Sequence, residues 1–321
     1  MAHYLLPSLR ARVLAVLAAL LLGAGGAVAE TVPLWIDTDA ACGSSELADA
    51  DDCWALALAL RSSTVAVRGI SGVTGAVKAG QAVILAGEVA KRFGFEGKVH
   101  QGAVRKNYRP TAGSRALAAA LKKERLTIVA LGPLTNVAAV LLTQPTLTQQ
   151  IERVIVVFGT PPDITEGDNL IDYRNYNAAA DTKAIAALMR AKVELVVVPL
   201  DAARSAFLTD TELARVAETS KSGAWLAELS RGWLHIWRDR IGEAGAFPAG
   251  SAAVAYMTDR GALNCRDTMG QFIWKHSFFR EKSLMQIGDD IEGGRPIVYC
   301  GAIKPVFRDR LVSLIAGSGD S

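Results

Sequence analysis

Clustered positive charge is missing from this 321-residue chain. No stretch of five Lys or Arg occurs, and 35 basic residues stand against 32 acidic ones. That balance provides no electrostatic footprint for nucleic acid and demands no strongly anionic substrate. There are no internal repeats, low-complexity tracts or linkers, so a single domain is expected, and a 50% hydrophobic content can fill its core. Histidine and cysteine are both scarce, at four each. No CxxC pair exists and no histidine lies near a cysteine, which argues against a zinc site.

The N-terminus carries its own signal. Arg10 and Arg12 precede the apolar run "VLAVLAALLLGAGGAVA", which closes on the small residues Ala27 and Ala29. This is the pattern of a secretory signal peptide, with cleavage expected after Ala29. Gly23, Gly25 and Gly26 interrupt the run before it reaches the roughly 20 apolar residues a membrane span prefers. The expectation is residues 1–29 as signal, 30–321 as one catalytic domain, an exported and periplasmic location, and no membrane association after cleavage. In an oxidising compartment Cys42, Cys53, Cys265 and Cys300 can form two disulfides. Three pairings are possible, and proximity favours Cys42–Cys53 with Cys265–Cys300.

Through most of the chain, short apolar β-branched runs alternate with helical patterns. "VPLWI" precedes "DDCWALALALRSS", "LTIVAL" leads through "GPLTN" into "VAAVLLTQ", and "DTKAIAALMRA" precedes "VELVVVPLD". Alternation of this kind with continuously apolar strands predicts an α/β fold, an open and mostly parallel Rossmann-like sheet with helices on both faces. Residues 208–246 read as purely helical, with Trp225, Trp233 and Trp237 on one face. Residues 263–315 read as short strands before a last helix.

Ligands in open parallel sheets bind just past the carboxyl ends of the strands. Asp37, Asp39, Gly132, Gly159 and Asp201 lie at such ends, and Asp51 and Asp52 follow closely. Crowded carboxylates repel one another unless a cation or a shared proton offsets the repulsion.

These landmarks, taken in order, resemble the inosine–uridine-preferring nucleoside hydrolase family over about residues 33–316. The family's D-x-D and D-D pairs correspond to Asp37, Asp39, Asp51 and Asp52. "GISGVTGAV", "VALGPLTNVA", "VIVVFGT", "DNLIDYRNYNAAAD" and "VVVPLD" follow collinearly. The resemblance implies hydrolysis of the N-glycosidic bond of ribonucleosides, with one Ca²⁺ per chain and a nucleoside as partner. It makes Asp39 a metal ligand and general base, Asp52 a second carboxylate ligand and Leu131 the donor of a backbone carbonyl. Asp51, Asn169, Asn175 and Asn177 become ribose contacts. For Asp37, ligation and a supporting role at the strand end stay open.

Two departures from the family pattern stand out. Where a late aspartate ligand is expected, "FPAGSAAVAY" has Gly250, or Ser251 with a one-residue shift. Ala76 stands where an asparagine follows the second strand. A missing ligand charge implies weaker Ca²⁺ binding. The family's acid–base histidine is also absent, and His235 in the tryptophan-rich helix is the candidate replacement acid. Two other readings compete. One is a ribose- or nucleoside-binding protein that keeps the pocket without turnover. The other is a haloacid-dehalogenase-type phosphatase, disfavoured because Ala41 stands where Thr or Val is expected. Base preference and homo-oligomer formation are left open.

Overall fold

The computed structural model of the chain describes residues 31–45, 48–159, 176–277 and 280–317. Its centre is a nine-stranded sheet: β1 (Val32–Thr38), β2 (Val65–Gly72), β3 (Val99–Gln101), β4 (Leu126–Ala130), β5 (Ile151–Val156), β6 (Glu194–Val197), β7 (Leu263–Ser277), β8 (Arg280–Gly288) and β9 (Arg295–Ile303). The spatial order is β3-β2-β1-β4-β5-β6-β9-β7-β8. Strands β1 to β6 and β9 pair in parallel, whereas β7 runs antiparallel to both β9 and β8. The expected α/β architecture is therefore present, with an antiparallel extension at one edge.

Among the described residues, ten α-helices accompany the sheet: α1 (Asp51–Arg61), α2 (Ala79–Arg92), α3 (Ala112–Leu121), α4 (Thr135–Thr143), α5 (Tyr176–Ala180), α6 (Thr182–Arg190), α7 (Asp210–Ala217), α8 (Lys221–His235), α9 (Ala249–Thr258) and α10 (Val306–Ala316). Side chains of β1 alternate between the two faces. Leu34 and Ile36 join one core with Trp54 of α1, Trp233 of α8 and Leu311 of α10. Trp35 joins the other core with Leu117 of α3, Val137 of α4 and Ile185 of α6. Burial on both faces is why these strands are almost purely apolar.

The late segment differs from the expectation of short strands. β7 spans 15 residues and β8 and β9 span nine each. Antiparallel strands at a sheet edge keep one wet face, so β7 mixes exposed Asn264, Arg266 and Asp267 with buried Leu263 and Thr268. That mixture hides a strand's length from an apolar-run reading. Cys265 and Cys300 face each other across β7 and β9 and are joined, as are Cys42 and Cys53.

The order of the strands positions the site. From β1 the chain builds outward through β2 and β3, then returns to place β4 on the other side of β1 and builds outward again. The carboxyl ends of β1 and β4 flank the crevice where the direction reverses, the place where open α/β sheets bind ligands.

Candidate functional site

A cavity of about 390 Å³ opens at this reversal point. It is lined from the ends of β1, β2, β4, β5 and β6, by residues that include Asp39, Ala76, Leu131, Val157 and Leu200.

Asp37, the penultimate residue of β1, is fully buried. Its Oδ1 accepts from Ser71 Oγ at 2.5 Å and from Asn136 Nδ2 at 2.7 Å, while Oδ2 has no hydrogen-bond partner among the described residues. Trp35 Nε1 donates to Ser71 Oγ at 2.9 Å, and Asn136 Oδ1 accepts from Ala103 N at 2.7 Å, so both donors are themselves held. Burial pushes the Asp37 carboxyl from 3.8 up to about 7, against the pull of its two donors. Asp37 does not line the cavity, so its placement is that of a support behind the site.

Asp39 lies just past β1, 6% exposed. Its Oδ2 accepts from Ala76 N at 2.7 Å. Two glycines let backbone pass on either side: a Cβ at Gly75 would fall 2.0 Å from Oδ2, and one at Gly132 would fall 2.6 Å from Oδ1. Position 76, where the sequence lacks the expected asparagine, thus acts through its main-chain N–H. Burial raises the Asp39 carboxyl to about 6; the Ala76 N–H opposes this and the charge of Asp49 adds to it.

Asp51 and Asp52 open α1, where the helix dipole favours carboxylates. The Thr38 hydroxyl and Asp39 N donate to Asp52 Oδ2. Burial, then the negative charge of Asp39, raises Asp52 well above the usual carboxylate range. Both oxygens of Asp51 accept from Gly250 N, at 2.9 and 2.8 Å, at the amino end of α9. A Cβ at position 250 would stand 3.3 Å from both Asp51 Oδ1 and Leu131 Cδ2, and the Ser251 backbone also supports Asp51.

Asp49 is a site residue that sequence reasoning misses. It lines the cavity and its Oδ1 accepts from Asp51 N at 2.8 Å. Its signal is faint, because it lies inside the loop between Asp39 and Asp51 and belongs to no motif. The Cys42–Cys53 bond ties that loop to α1, and both cysteines are fully buried. On the opposite wall, Asn177 Nδ2 donates to the carbonyls of Leu131 at 2.6 Å and Val157 at 3.1 Å. Tyr176, Leu200 and Trp237 also line the cavity, with Trp237 resting on Phe247 at a ring separation of 4.4 Å.

Two expected contacts, Asn169 and Asn175, lie outside the described residues. His235 is on the exposed side of α8, its Nδ1 3.4 Å from the Asp239 carboxylate, and does not line the cavity. Its helical spacing puts it near the pocket in sequence, but the face it occupies points to solvent. Trp237, two residues on in a π-helical turn (Ile236–Ile241), reaches the cavity instead.

A profile of the inosine-uridine preferring nucleoside hydrolases matches residues 34–298. The chain belongs to that family. The non-specific ribonucleoside hydrolase RihC of Escherichia coli (strain SMS-3-5 / SECEC) is 35% identical over 106 residues. That stretch is 33% of this chain and spans only 34% of the relative's length. A purine-preferring ribonucleoside hydrolase from Gardnerella vaginalis shares the fold with a TM-score of 0.74 at 21% identity, covering 89% of this chain and 98% of that one. The plant nucleoside hydrolase PpNRh1 superposes with a TM-score of 0.70 at 18% identity, covering 91% and 100%.

Ca²⁺ and other hard cations take oxygen ligands. Among the described residues no three His, Cys, Asp or Glu side chains are grouped to hold a metal ion. What the site offers a cation is two carboxyls that hydrogen-bond each other, Asp39 and Asp52, and the Leu131 carbonyl. This all-oxygen set fits a hard cation, with Gly250 accounting for the third carboxylate the family pattern expects. Gly250→Asp should accordingly place a further carboxylate against Asp51. Its melting temperature in chelator is expected to fall below the parent's by a few degrees, and added Ca²⁺ should restore it more than it stabilises the parent. Equal Ca²⁺ responses in the two proteins, read by thermal denaturation, would remove position 250 from the cation's surroundings.

Proposed function

We propose that this family member hydrolyses the N-glycosidic bond of ribonucleosides to free base and ribose, using a water placed at Asp39. The observation that supports this reading most is Asp39 itself. It is a buried carboxylate at the switch point, held by the Ala76 N–H between two glycines, with Asp52 and the Leu131 carbonyl beside it.

Asp39, Asp52 and the Leu131 carbonyl would hold a divalent cation, Ca²⁺ by the chemistry of the donors, and such an ion supplies positive charge that makes a nearby water easier to deprotonate. Asp39 then accepts the water proton as general base. Asp51, fixed by the amino end of α9, is oriented to accept from a ribose hydroxyl. Asn177 holds the Leu131 carbonyl and presents its amide at the cavity wall. Remaining negative charge favours the oxocarbenium-like transition state of glycosidic cleavage.

Reducing-sugar release from inosine, uridine, cytidine and guanosine, with and without chelator, tests the reading against phosphate release from nucleotides. Release of sugar that a chelator suppresses is expected, and no sugar from any riboside would refute it. Non-catalytic ribose or nucleoside binding is the second reading, favoured by the bare Gly250 and by a cavity with no histidine among its described lining residues. Calorimetric binding of nucleosides without sugar release would establish it. Residues 1–29 are read as an export signal preceding a single catalytic domain. The two disulfides suit the periplasm or another oxidising compartment.

A pH dependence follows from the buried carboxyls. Between its ordinary value of 3.8 and about 7, Asp37 binds more protons folded than unfolded, so stability falls as pH rises through that window. Asp39, raised to about 6, acts in the same direction. In chelator the melting temperature should be roughly 5 °C lower at pH 7.5 than at pH 5, and Ca²⁺ should narrow the gap. A melting temperature that rises across this range in chelator would contradict it.

A further inference from the structure

We infer that Asp181 is a positioning residue for the hydrolysis: it closes a second clasp that sets how the Asn177 amide and the Leu131 carbonyl meet. The inference rests on the hydrolase reading and names a residue of that site which does not itself line the cavity. Asn177 Nδ2 donating to the Leu131 carbonyl at 2.6 Å is the first clasp. Four residues further along both segments, Thr135 Oγ1 donates to Asp181 Oδ2 at 2.6 Å. Helix α5 (Tyr176–Ala180) leads from Asn177 to Asp181, and Thr135 opens α4 just after Leu131. One hydrogen bond leaves two segments free to pivot about it. Two bonds, four residues apart on each segment, fix their mutual orientation.

Asp181 is itself held from three sides. Its Oδ1 accepts from Ala184 N at 3.1 Å, which caps α6, and from Tyr108 Oη at 2.6 Å, in the loop after β3. Among the described residues Tyr108 is the only non-glycine with positive φ, at 54°. A bulky side chain avoids that backbone conformation, so the loop gives up local stability to present its hydroxyl to Asp181. The Asp181 and Thr135 side chains are buried, and all three donors to the carboxylate are neutral. Burying a carboxylate among neutral donors costs more than burying a neutral cap, and Asn or Ser would cap α6 as well. Capping alone therefore does not call for aspartate. Serving α6, Tyr108 and Thr135 together does, because that takes an acceptor with two oxygens. Thr135 also leads directly into Asn136, which holds Asp37 behind the site.

The test uses the full mature chain and reads Ca²⁺ affinity by calorimetry together with kcat/KM for inosine and uridine. Thr135→Val removes the hydroxyl at nearly constant volume, and Thr135→Ser keeps it. Asp181→Ser still caps α6 but is too short to serve Tyr108 and Thr135. Thr135→Val and Asp181→Ser are each expected to weaken Ca²⁺ binding and lower kcat/KM by roughly 10–100-fold, with Thr135→Ser close to the parent. The double variant should lose no more than its more impaired single variant, because both changes break one clasp. Leu188→Ala, a core truncation on α6 that leaves the clasp intact, should lower the melting temperature and leave both readouts unchanged. Readouts unmoved by Thr135→Val, losses that multiply in the double variant, or equal losses in Leu188→Ala would overturn the inference. If Asp181→Ser does not fold, Thr135→Val against Thr135→Ser decides the matter. A parent that binds Ca²⁺ but cleaves no riboside would overturn the hydrolase reading, while the Ca²⁺ affinities still judge the clasp. A parent that does neither would overturn both.

Discussion

Replacing Asp39 with Asn is expected to lower kcat for riboside hydrolysis by about 10²–10⁴-fold, with KM changing far less. Asparagine keeps the shape that fits between Gly75 and Gly132 and can still accept from Ala76 N through its amide oxygen. It cannot take a proton from water, and it removes one charge from the pair that would hold a cation. The fold should not suffer. Asp39 is a buried carboxyl whose pKa is raised to about 6, so near neutral pH its charge costs stability in the absence of a cation. The variant should therefore melt at the same temperature as the parent in chelator, or higher, while gaining much less from added Ca²⁺. Steady-state kinetics with calorimetry of Ca²⁺ binding would check both halves. Near-normal turnover would end the assignment of Asp39 as general base.

The second large effect is expected from the stapled loop. Removing the Cys42–Cys53 bond with the double substitution Cys42→Ala and Cys53→Ala should cost about 3 kcal/mol by loss of the chain-entropy constraint on a loop of this length. In the native protein Cys53 follows Asp52 directly on α1, and Cys42 anchors the segment that carries Asp49 to the same helix. Freed of the bond, that loop should hold Asp49 and Asp51 less firmly, because ligand and substrate carboxylates tolerate little positional error. Activity is expected to fall more than tenfold under conditions where the variant is still folded, read by denaturant titration and kinetics on the same sample. Peptide mapping of the unreduced parent should recover the crosslinked pair. Free alkylation of both cysteines in the unreduced, denatured protein would show that no staple exists.

Much of the architecture is legible in the amino-acid sequence. Apolar β-branched runs mark the parallel strands, and Gly94 just after α2 has the left-handed backbone its position suggests. Of three possible cysteine pairings, the one that proximity favours is the one formed, and the D-x-D at the end of β1 points to where a site should form. These are local properties: a residue's type, its period and its distance along the chain decide which face it buries and what it can reach.

Other features depend on the tertiary structure. The strand order brings Leu131 and Asn177 beside Asp39 from about 90 and 140 residues away, and no local pattern encodes which strand becomes a neighbour. Main-chain groups do part of the work. Ala76 N holds Asp39 and Gly250 N holds Asp51, and an N–H carries no residue identity that a sequence can display. Burial of helix faces decides the rest. α8 turns His235 to solvent, while the π-helical turn beyond it swings Trp237 into the cavity. Asp49 enters the site because a disulfide and a hydrogen bond to the start of α1 fix a loop whose composition alone looks like a solvated turn. Composition and period set the strands, helices and their buried faces, whereas the chemistry at the switch point arises from long-range packing that brings separate segments within hydrogen-bonding distance.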